Sequence, residues 1–471
     1  MIQFGTGGWR AVIGDEFTRQ NIQILAKAIA LKMKKEGVEG KEIVIGYDRR
    51  FLSKEAVKWA CEVFSAENIK SLFVNRSSPT PLIMFYVEKH NLPYGMMITA
   101  SHNPAIYNGI KIFTAGGRDA NEEQTREIET YVRLAEQEDI QTIEYEKALE
   151  LGHVVEFNPL NEYLDNIIAN INMEAIRERN LHVVLDPMYG VSQTSLKTIL
   201  STARCEIDII HERHDTLFGR KLPAPSEHTL KSLQNFVMDM NCDLGIATDG
   251  DADRIGVVDD TGRILHANDI LMLLYHYLLK YKKWKGGVVR NIATTHMLDR
   301  MAELFGETCY EVPVGFKHIS SKMQETNAII GGESSGGLTV RGHIHGKDGI
   351  YAAALLVEMI AVTGKKISQL KDEITSEYGA VCVEERDYSF TAEKKEQIYK
   401  TLMEDKLLPA IDIPMERVSY LDGCKLYFQN GGWLIARFSG TEPLLRIFCE
   451  MSNKTDAENA CKIFEHFLGL K

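Results

Sequence analysis

Three aspartates within five residues, Asp249, Asp251 and Asp253, stand in "LGIATDGDADRIGVVDDTG" between two apolar runs. Carboxylates that close repel by about 4 kcal/mol per pair at an effective dielectric near 20. A loop that holds them wants a cation, and an all-oxygen ligand set suits Mg2+, with positions left for a phosphate oxygen and water. An EF-hand is excluded, because Arg254 takes its glycine position, Asp260 its bidentate-glutamate position, and the flanks read as strands. Arg254 beside these carboxylates is suited to clamp a phosphoryl group. Taken alone, the stretch also fits a solvated acidic turn.

A second stretch, "GMMITASHNP", is an apolar run that ends in Ser101, followed by His102 and Asn103. Strand ends are where α/β proteins carry reactive groups. The G-x-S-x-G elbow of esterases is absent and no base is evident nearby, which makes the serine a poor acyl nucleophile. Carrying a phosphoryl group beside a metal suits it better, since phosphoryl transfer needs positioning and charge neutralisation more than a strong base. A capping or turn serine before Asn-Pro is the competing reading. Lys111 could act as general acid or base with its pKa lowered near a metal; alone it reads as a surface lysine.

Two further loops are polar in a directed way. "IIGGESSGGL" sets Glu333 and Ser335 between glycines, a pairing of carboxylate and hydroxyl that suits sugar hydroxyls, or a plain glycine-rich turn. "IARFSGTEPLLRI" sets Arg437, Ser439, Gly440 and Thr441 between two apolar runs. A guanidinium, two hydroxyls and N–H groups around a glycine make a phosphate nest, if the loop is more than a hairpin turn. "GTGGWR" is not a dinucleotide fingerprint, because Arg10 replaces the third glycine, and no GxxxxGK[ST] loop exists for ATP.

These loops need rigid elements to hold them. "EIVIGYDRR", "HVVLDPMYG" and "GGVVRNIATT" each join an apolar, β-branched run to a polar turn and a helical-period segment. The recurrence predicts three related α/β domains with largely parallel sheets. "CKLYFQNGGWLIARF" predicts two strands joined at Asn430-Gly431-Gly432, "LLRIFCE" a third, and "DAENACKIFEHFLG" a helix, together a small α+β domain beginning after residue 370.

With 471 residues the chain is long enough for three or four domains at roughly 100 to 200 residues each. Hydrophobic content of 44% with 25% charged residues describes a soluble globular protein. The N-terminus has no signal-peptide pattern, and "YAAALLVEMIAVTG", which contains Glu358, reads as a buried helix and not a membrane span. Eight scattered cysteines without a CxxC pair suit reduced thiols in the cytoplasm. A net charge of −12 argues against a nucleic-acid partner, though a local basic pocket for a small anion remains compatible with it.

Together the loops offer a phosphoserine, a metal triad, a hydroxyl reader and a second phosphate site. On them the chain resembles the α-D-phosphohexomutase superfamily of phosphoglucomutases and phosphomannomutases over its whole length. "TASHNP" is similar to the family's phosphoserine loop, "DGDADR" to its magnesium loop, "GESSGG" to its sugar-binding loop and "RFSGTEP" to its phosphate-binding loop, in the same order. "FGRKLPAPSEHTL" and "VPVGFKHI" are also similar to family segments.

The resemblance implies three α/β domains, at 1–157, 158–263 and 264–372, and a smaller α+β domain at 373–471, around a central cleft. It implies phosphorylation of Ser101, with His102 and Asn103 beside it, and Mg2+ held by Asp249, Asp251, Asp253 and the phosphoserine. Arg254 and Arg10 would contact the reacting phosphate, Lys111 would move protons, and Lys317 would reach the sugar-phosphate. Glu333 and Ser335 would hold sugar hydroxyls while Arg437, Ser439, Gly440 and Thr441 grip the distal phosphate and the last domain closes as a lid. The implied reaction interconverts a hexose 1-phosphate and a hexose 6-phosphate through a hexose 1,6-bisphosphate. No nucleic-acid or membrane partner is expected, and the protein would be a monomer or weak homo-oligomer.

Two departures bear on the substrate and the first loop. "GESSGG" lacks the histidine of the "GEMSGH" and "GEQSGH" loops of phosphomannomutases and phosphoglucosamine mutases, and is more similar to "GEES" loops of glucose-directed relatives. This leans away from glucosamine phosphate and toward glucose phosphate, with mannose phosphate open. Ala11 follows Arg10 where many members have glycine. Two rivals stand beside the mutase: a Mg-dependent sugar-phosphate phosphatase, and a non-catalytic sugar-phosphate-binding paralogue. The second phosphate loop argues against the first, and retention of Ser101 with all three aspartates against the second.

Overall fold

The apolar runs form strands Ile43–Tyr47, His182–Asp186 and Val288–Asn291, followed by helices Ser53–Ala66, Gln193–Thr202 and Met297–Leu304. The structure is a computed structural model that describes residues 2–5, 7–438 and 444–470. The first and third of these strands are buried at every position, and the second at all but His182, which is why each reads as an unbroken apolar run.

The first three sheets repeat one unit. In the first, Ser71–Val74, Ile43–Tyr47 and Tyr94–Ile98 lie parallel, and Tyr107–Thr114 adds antiparallel to the last. The second orders Glu206–Ile209, His182–Asp186, Leu244–Thr248 and antiparallel Ile255–Val258. The third orders Cys309–Val312, Val288–Asn291, Ile330–Gly332 and antiparallel Leu338–Val340. The sheets are therefore mixed, largely parallel with one strand in each that runs against the rest. Those strands matter: the Ser101, Asp249 and Glu333 loops each join the last parallel strand to its antiparallel neighbour. A tight connection between paired strands fixes both ends of the loop.

A fourth sheet, Cys382–Ser389, Leu444–Met451, Trp433–Phe438, Cys424–Phe428 and Met415–Ser419, is antiparallel throughout and carries helix Lys454–Leu468. Strand Ile264–Leu265 pairs with Ile255–Val258 of the second sheet, just past the limit read at 263. Helix Ile367–Tyr378 runs through the limit read at 372 and packs on helices Ala267–Lys280 and Met297–Leu304.

One continuous core joins parts of the first three units. Helix Gly349–Thr363 is buried from Gly349 to Ala361 and packs on Met173–Arg177 and Gln193–Thr202. Among the described residues no helix is long and apolar enough to cross a membrane. The fourth unit keeps its own core, joined to the third by Ile292, Ala293, Trp433 and Ile435. All eight cysteines are free.

Candidate active site

Strand Tyr94–Ile98 is buried along its length and delivers the chain to Ser101, which is 1% exposed. Ser101 takes a left-handed backbone, φ 50°, at a cost of roughly 1–2 kcal/mol for a residue with a Cβ. Its surroundings hold it there: its N–H donates to Thr99 Oγ1 at 2.8 Å, and Arg50 Nη2 donates to its carbonyl at 2.7 Å. Arg50 also donates to the carbonyls of Asn103, Pro104 and Tyr107 at 2.7, 3.0 and 2.9 Å, so one guanidinium gathers the whole turn. Asp48 supports the clamp, lying 3.4 Å from Arg50 Nε and accepting from Thr99 Oγ1 at 2.7 Å.

The aspartate loop meets this turn face to face. Ser101 Oγ donates to Asp249 Oδ2 at 2.7 Å and lies 3.3 Å from His102 Nδ1. Asp249 Oδ1 accepts from the N–H groups of Asp253 and Arg254, both at 3.0 Å, which closes the loop on itself. Lys111, from the antiparallel strand, donates to Asp251 Oδ2 at 2.7 Å and Asp253 Oδ2 at 2.6 Å. Thr80 Oγ1 donates to Asp251 Oδ2 at 2.6 Å, and Lys347 reaches Asp253 Oδ2 at 3.1 Å from the third unit. Arg10 bonds the Asn103 side chain.

Burial pushes the Asp249 carboxyl well above its ordinary range, and Asp251 and Asp253 push the same way. Burial and Asp253 oppose charge on Asp251, yet Lys111 and the Thr80 hydroxyl together hold it below its ordinary range; burial opposes charge on Asp253, yet Lys111, Lys347 and Arg254 together do the same. For Lys111 the two aspartates overcome burial and hold the ammonium above its usual range. Carboxylate neighbours thus keep Lys111 charged in this arrangement. The Arg254 charge, burial and Arg10 hold His102 well below its ordinary value, so the ring is neutral.

The residues fit a hard divalent cation. One oxygen from each of Asp249, Asp251 and Asp253 lies within 4.8 Å of the others. Asp251 Oδ1 and Asp253 Oδ1 are buried with no hydrogen-bond partner. Acceptor-only oxygens left short of a donor in a dry site are what such an ion binds.

The structure thus brings together Ser101, His102, Asn103, Arg10, Lys111, the three aspartates and Arg254. The Glu333 loop abuts them, since Ile255 N donates to Gly336 O at 3.1 Å. Glu333 Oε1 there accepts from Asn291 Nδ2 and Gly315 N, each at 3.1 Å, while Ser335 is exposed at the tip. Lys317 stands apart, paired with Glu122 at 2.9 Å beside a cavity that Lys111 also lines. Arg437 Nε donates to Asp422 at 2.9 Å and does not touch the aspartate loop. Ser439, Gly440 and Thr441 lie outside the described residues. Sequence reasoning missed Asp48, Arg50, Thr80, Thr99 and Lys347. An acid-base run after a strand, "YDRR", and a charged pair before an apolar helix, "GKDGI", were the available signals.

Models of the α/β/α domains I, II and III of phosphoglucomutase/phosphomannomutase match residues 1–139, 161–262 and 266–378. A phosphoglucomutase/phosphomannomutase of Thermococcus kodakarensis is 30% identical over 454 residues, covering 96% of this chain and 95% of the relative. A phosphoglucosamine/phosphogalactosamine mutase of Sulfurisphaera tokodaii is 28% identical over 457 residues, covering 97% and 96%. A crystal structure from Thermus thermophilus, assigned to phosphomannomutase, superposes with a TM-score of 0.86 at 27% identity and covers 99% of both chains. The chain belongs to the phosphoglucomutase/phosphomannomutase family and is a phosphohexomutase, an isomerase that works by phosphoryl transfer.

Proposed function

We propose that the enzyme interconverts glucose 1-phosphate and glucose 6-phosphate, with mannose phosphates as the alternative pair, through phospho-Ser101 and a hexose 1,6-bisphosphate. The observation that carries this is the contact of Ser101 Oγ with Asp249 at 2.7 Å inside a buried three-carboxylate cluster. A hydroxyl so placed is a phosphoryl carrier, because its surroundings are built to balance charge.

Asp249, Asp251, Asp253 and a phosphoserine oxygen would hold Mg2+, which supplies charge neutralisation for the transferring group. Ser101 gives up its phosphoryl as the Oγ–P bond breaks and a bond to the free sugar hydroxyl forms. The hydroxyl proton passes to the protein, where neutral His102 is the group at hand to take it, while Lys111, held as an ammonium, is placed to give one. Arg10 and Arg254 balance charge on the phosphoryl. Glu333 and Ser335 hold the sugar hydroxyls, and Lys317 reaches the sugar-phosphate. Arg437, with Ser439, Gly440 and Thr441, grips the distal phosphate. The bisphosphate then turns over and returns its other phosphoryl to Ser101.

The preference for glucose rests on "GESSGG", which offers a carboxylate and a hydroxyl but no histidine. Relatives named for glucosamine phosphate make that sugar the necessary third substrate to test. We place the domain limits after residues 157, 265 and 379, because the short strand at 264–265 and helix Ile367–Tyr378 belong with the second and third units.

The test pairs intact mass with turnover of glucose, mannose and glucosamine 1-phosphates in Mg2+. The enzyme is expected to carry one phosphate, lost together with turnover in Ser101→Ala, and to favour glucose 1-phosphate. Release of inorganic phosphate as the main product, with turnover surviving Ser101→Ala, would replace the mutase by the phosphatase. Faster turnover of another hexose would overturn the glucose assignment alone.

A further inference from the structure

The chain between the Glu333 loop and helix Gly349–Thr363 approaches the aspartate loop from a second side. Asp348 caps that helix, its Oδ1 accepting from the N–H groups of Ile350 and Tyr351 at 2.8 and 2.9 Å. Its other oxygen, Oδ2, accepts from the Tyr163 hydroxyl at 2.7 Å and lies 2.6 Å from His343 Nε2. On the far side of that ring, Nδ1 lies 3.1 Å from the Asn166 side-chain oxygen. Tyr163 and Asp348 are buried, and so is the whole His343 side chain. A helix cap uses one side-chain oxygen. Two more polar side chains on the second oxygen fix the plane of the carboxylate as well. Tyr163 and Asn166 come from helix Leu160–Ala169 of the second unit, and the Tyr163 ring meets Phe85 of the first at 5.7 Å between centroids. Asp348 is therefore held where three units meet.

The residues on either side of Asp348 touch the aspartate loop. Gly349 N donates to the Ala252 carbonyl at 3.1 Å, and a Cβ on Gly349 would come within 2.6 Å of Arg254 O, so the helix start lies backbone to backbone on that loop. Asp348 N donates to Leu338 O at 3.1 Å. Between these anchors Lys347 runs its stem across Gly337, where a Cβ would come within 2.3 Å of Lys347 Cδ. Its Nζ then reaches Asp253 Oδ2 at 3.1 Å. A lysine stem has many rotamers, so it keeps one position only where its backbone and its path are both fixed.

We propose that the Tyr163–Asp348–His343 network positions Lys347 on Asp253 and so sets the charge balance beneath the transferring phosphoryl group. Tyr163, His343 and Asp348 act through Lys347 and are positioning residues. The inference rests on the reading that the three aspartates hold Mg2+. An ammonium at Asp253 opposes a second cation on the same carboxylate. Loosening the network therefore moves two measurements in opposite senses: phosphoryl transfer slows as Lys347 leaves its place, and Mg2+ binds more tightly because the competing charge has left.

The test is kcat, KM and Mg2+ titration calorimetry on the intact enzyme for Tyr163→Phe and Asp348→Asn, each alone and combined with Lys347→Met. Tyr163→Phe removes one hydroxyl and keeps the ring in the core. Asp348→Asn keeps an oxygen for the helix cap and loses the charge that faces Tyr163 and His343. In Tyr163→Phe, kcat for hexose 1-phosphate is expected to fall about tenfold with KM little changed, while the Mg2+ Kd falls about threefold. Both changes are expected to vanish in the Lys347→Met background, because the group being positioned is gone. A role in stability alone would lower kcat by the same factor in both backgrounds and weaken Mg2+ binding. Either result overturns the proposal, as does wild-type kcat in both single variants. If Asp348→Asn does not fold, Tyr163→Phe decides; if Lys347→Met turns over too slowly to assay, the calorimetric comparison decides. A wild type that binds no Mg2+ fails the metal reading, and the turnover comparison then still decides this one.

Discussion

Arg50 shows how much of this site rests on a single side chain. Its side chain and that of Asp48 are fully buried, and its guanidinium satisfies four carbonyls of the Ser101 turn. Arg50→Ala strands a buried carboxylate and frees the turn, so a loss of about 3–5 kcal/mol is expected. Arg50→Lys is expected to recover little, because an ammonium cannot reproduce the planar fork. Denaturant unfolding measures both, and a loss in Arg50→Ala below about 1 kcal/mol would show that the clamp contributes nothing. None of this was readable beforehand: "YDRR" identifies a charged turn, but the carbonyls it serves lie more than fifty residues away.

At the scale of elements, the Ser101, Asp249 and Glu333 loops each lie between adjacent antiparallel strands, and the fit of the first two depends on an absent side chain. A Cβ on Gly250 would come within 2.8 Å of the Ser101 carbonyl oxygen, so the aspartate loop and the serine turn pack backbone to backbone. Gly250→Ala must separate them. With misplacement on the order of an ångström, kcat/KM is expected to fall about 100-fold while the thermal midpoint changes little. Unchanged kcat/KM would mean that the contact does not set the geometry. Motif-bearing strands were legible because their apolar runs are unbroken. Strand Cys382–Ser389 was not: its charged residues suit an edge strand that pairs on one side only, and a charged edge has no apolar run to read.

Across the whole molecule, the fourth unit is fastened to the third through a buried charge cluster. Lys425 is fully buried and donates to Ile292 O at 2.6 Å and Glu311 at 2.9 Å, close to His296 Nε2 and over the Trp433 ring. Burial, with Arg290 nearby, pulls its pKa down to about 7 despite Glu311. Unfolding restores its ordinary value of 10.5, so between these limits the unfolded chain binds more protons than the folded one. Stability therefore rises with pH across that window, by at most about 1.4 kcal/mol per unit, and the penalty is full below pH 7. Calorimetric midpoints of wild type and Lys425→Met, compared from pH 7 to 9.5, should converge on this account as the wild type loses its penalty. A constant difference across that range would contradict it. Asp422 makes a second tie, accepting from Arg437 Nε and Val314 N, each at 2.9 Å, so Arg437 is anchored where the two units meet.

What is local can be read from the order of residues alone: the α/β repetition, the C-terminal hairpin, the serine at a strand end and the acidic loop. Each is a contiguous stretch whose pattern follows from burial or from charge spacing. Tertiary structure decided what those stretches do to one another. Ser101 and Asp249 are 148 residues apart in the chain, Lys111 and Asp251 140, and Thr80 and Asp251 171. Lys111 gains its charge preference and His102 loses its own only when distant segments enclose them. Electrostatics and burial depend on distance in space, which a linear order of residues does not contain.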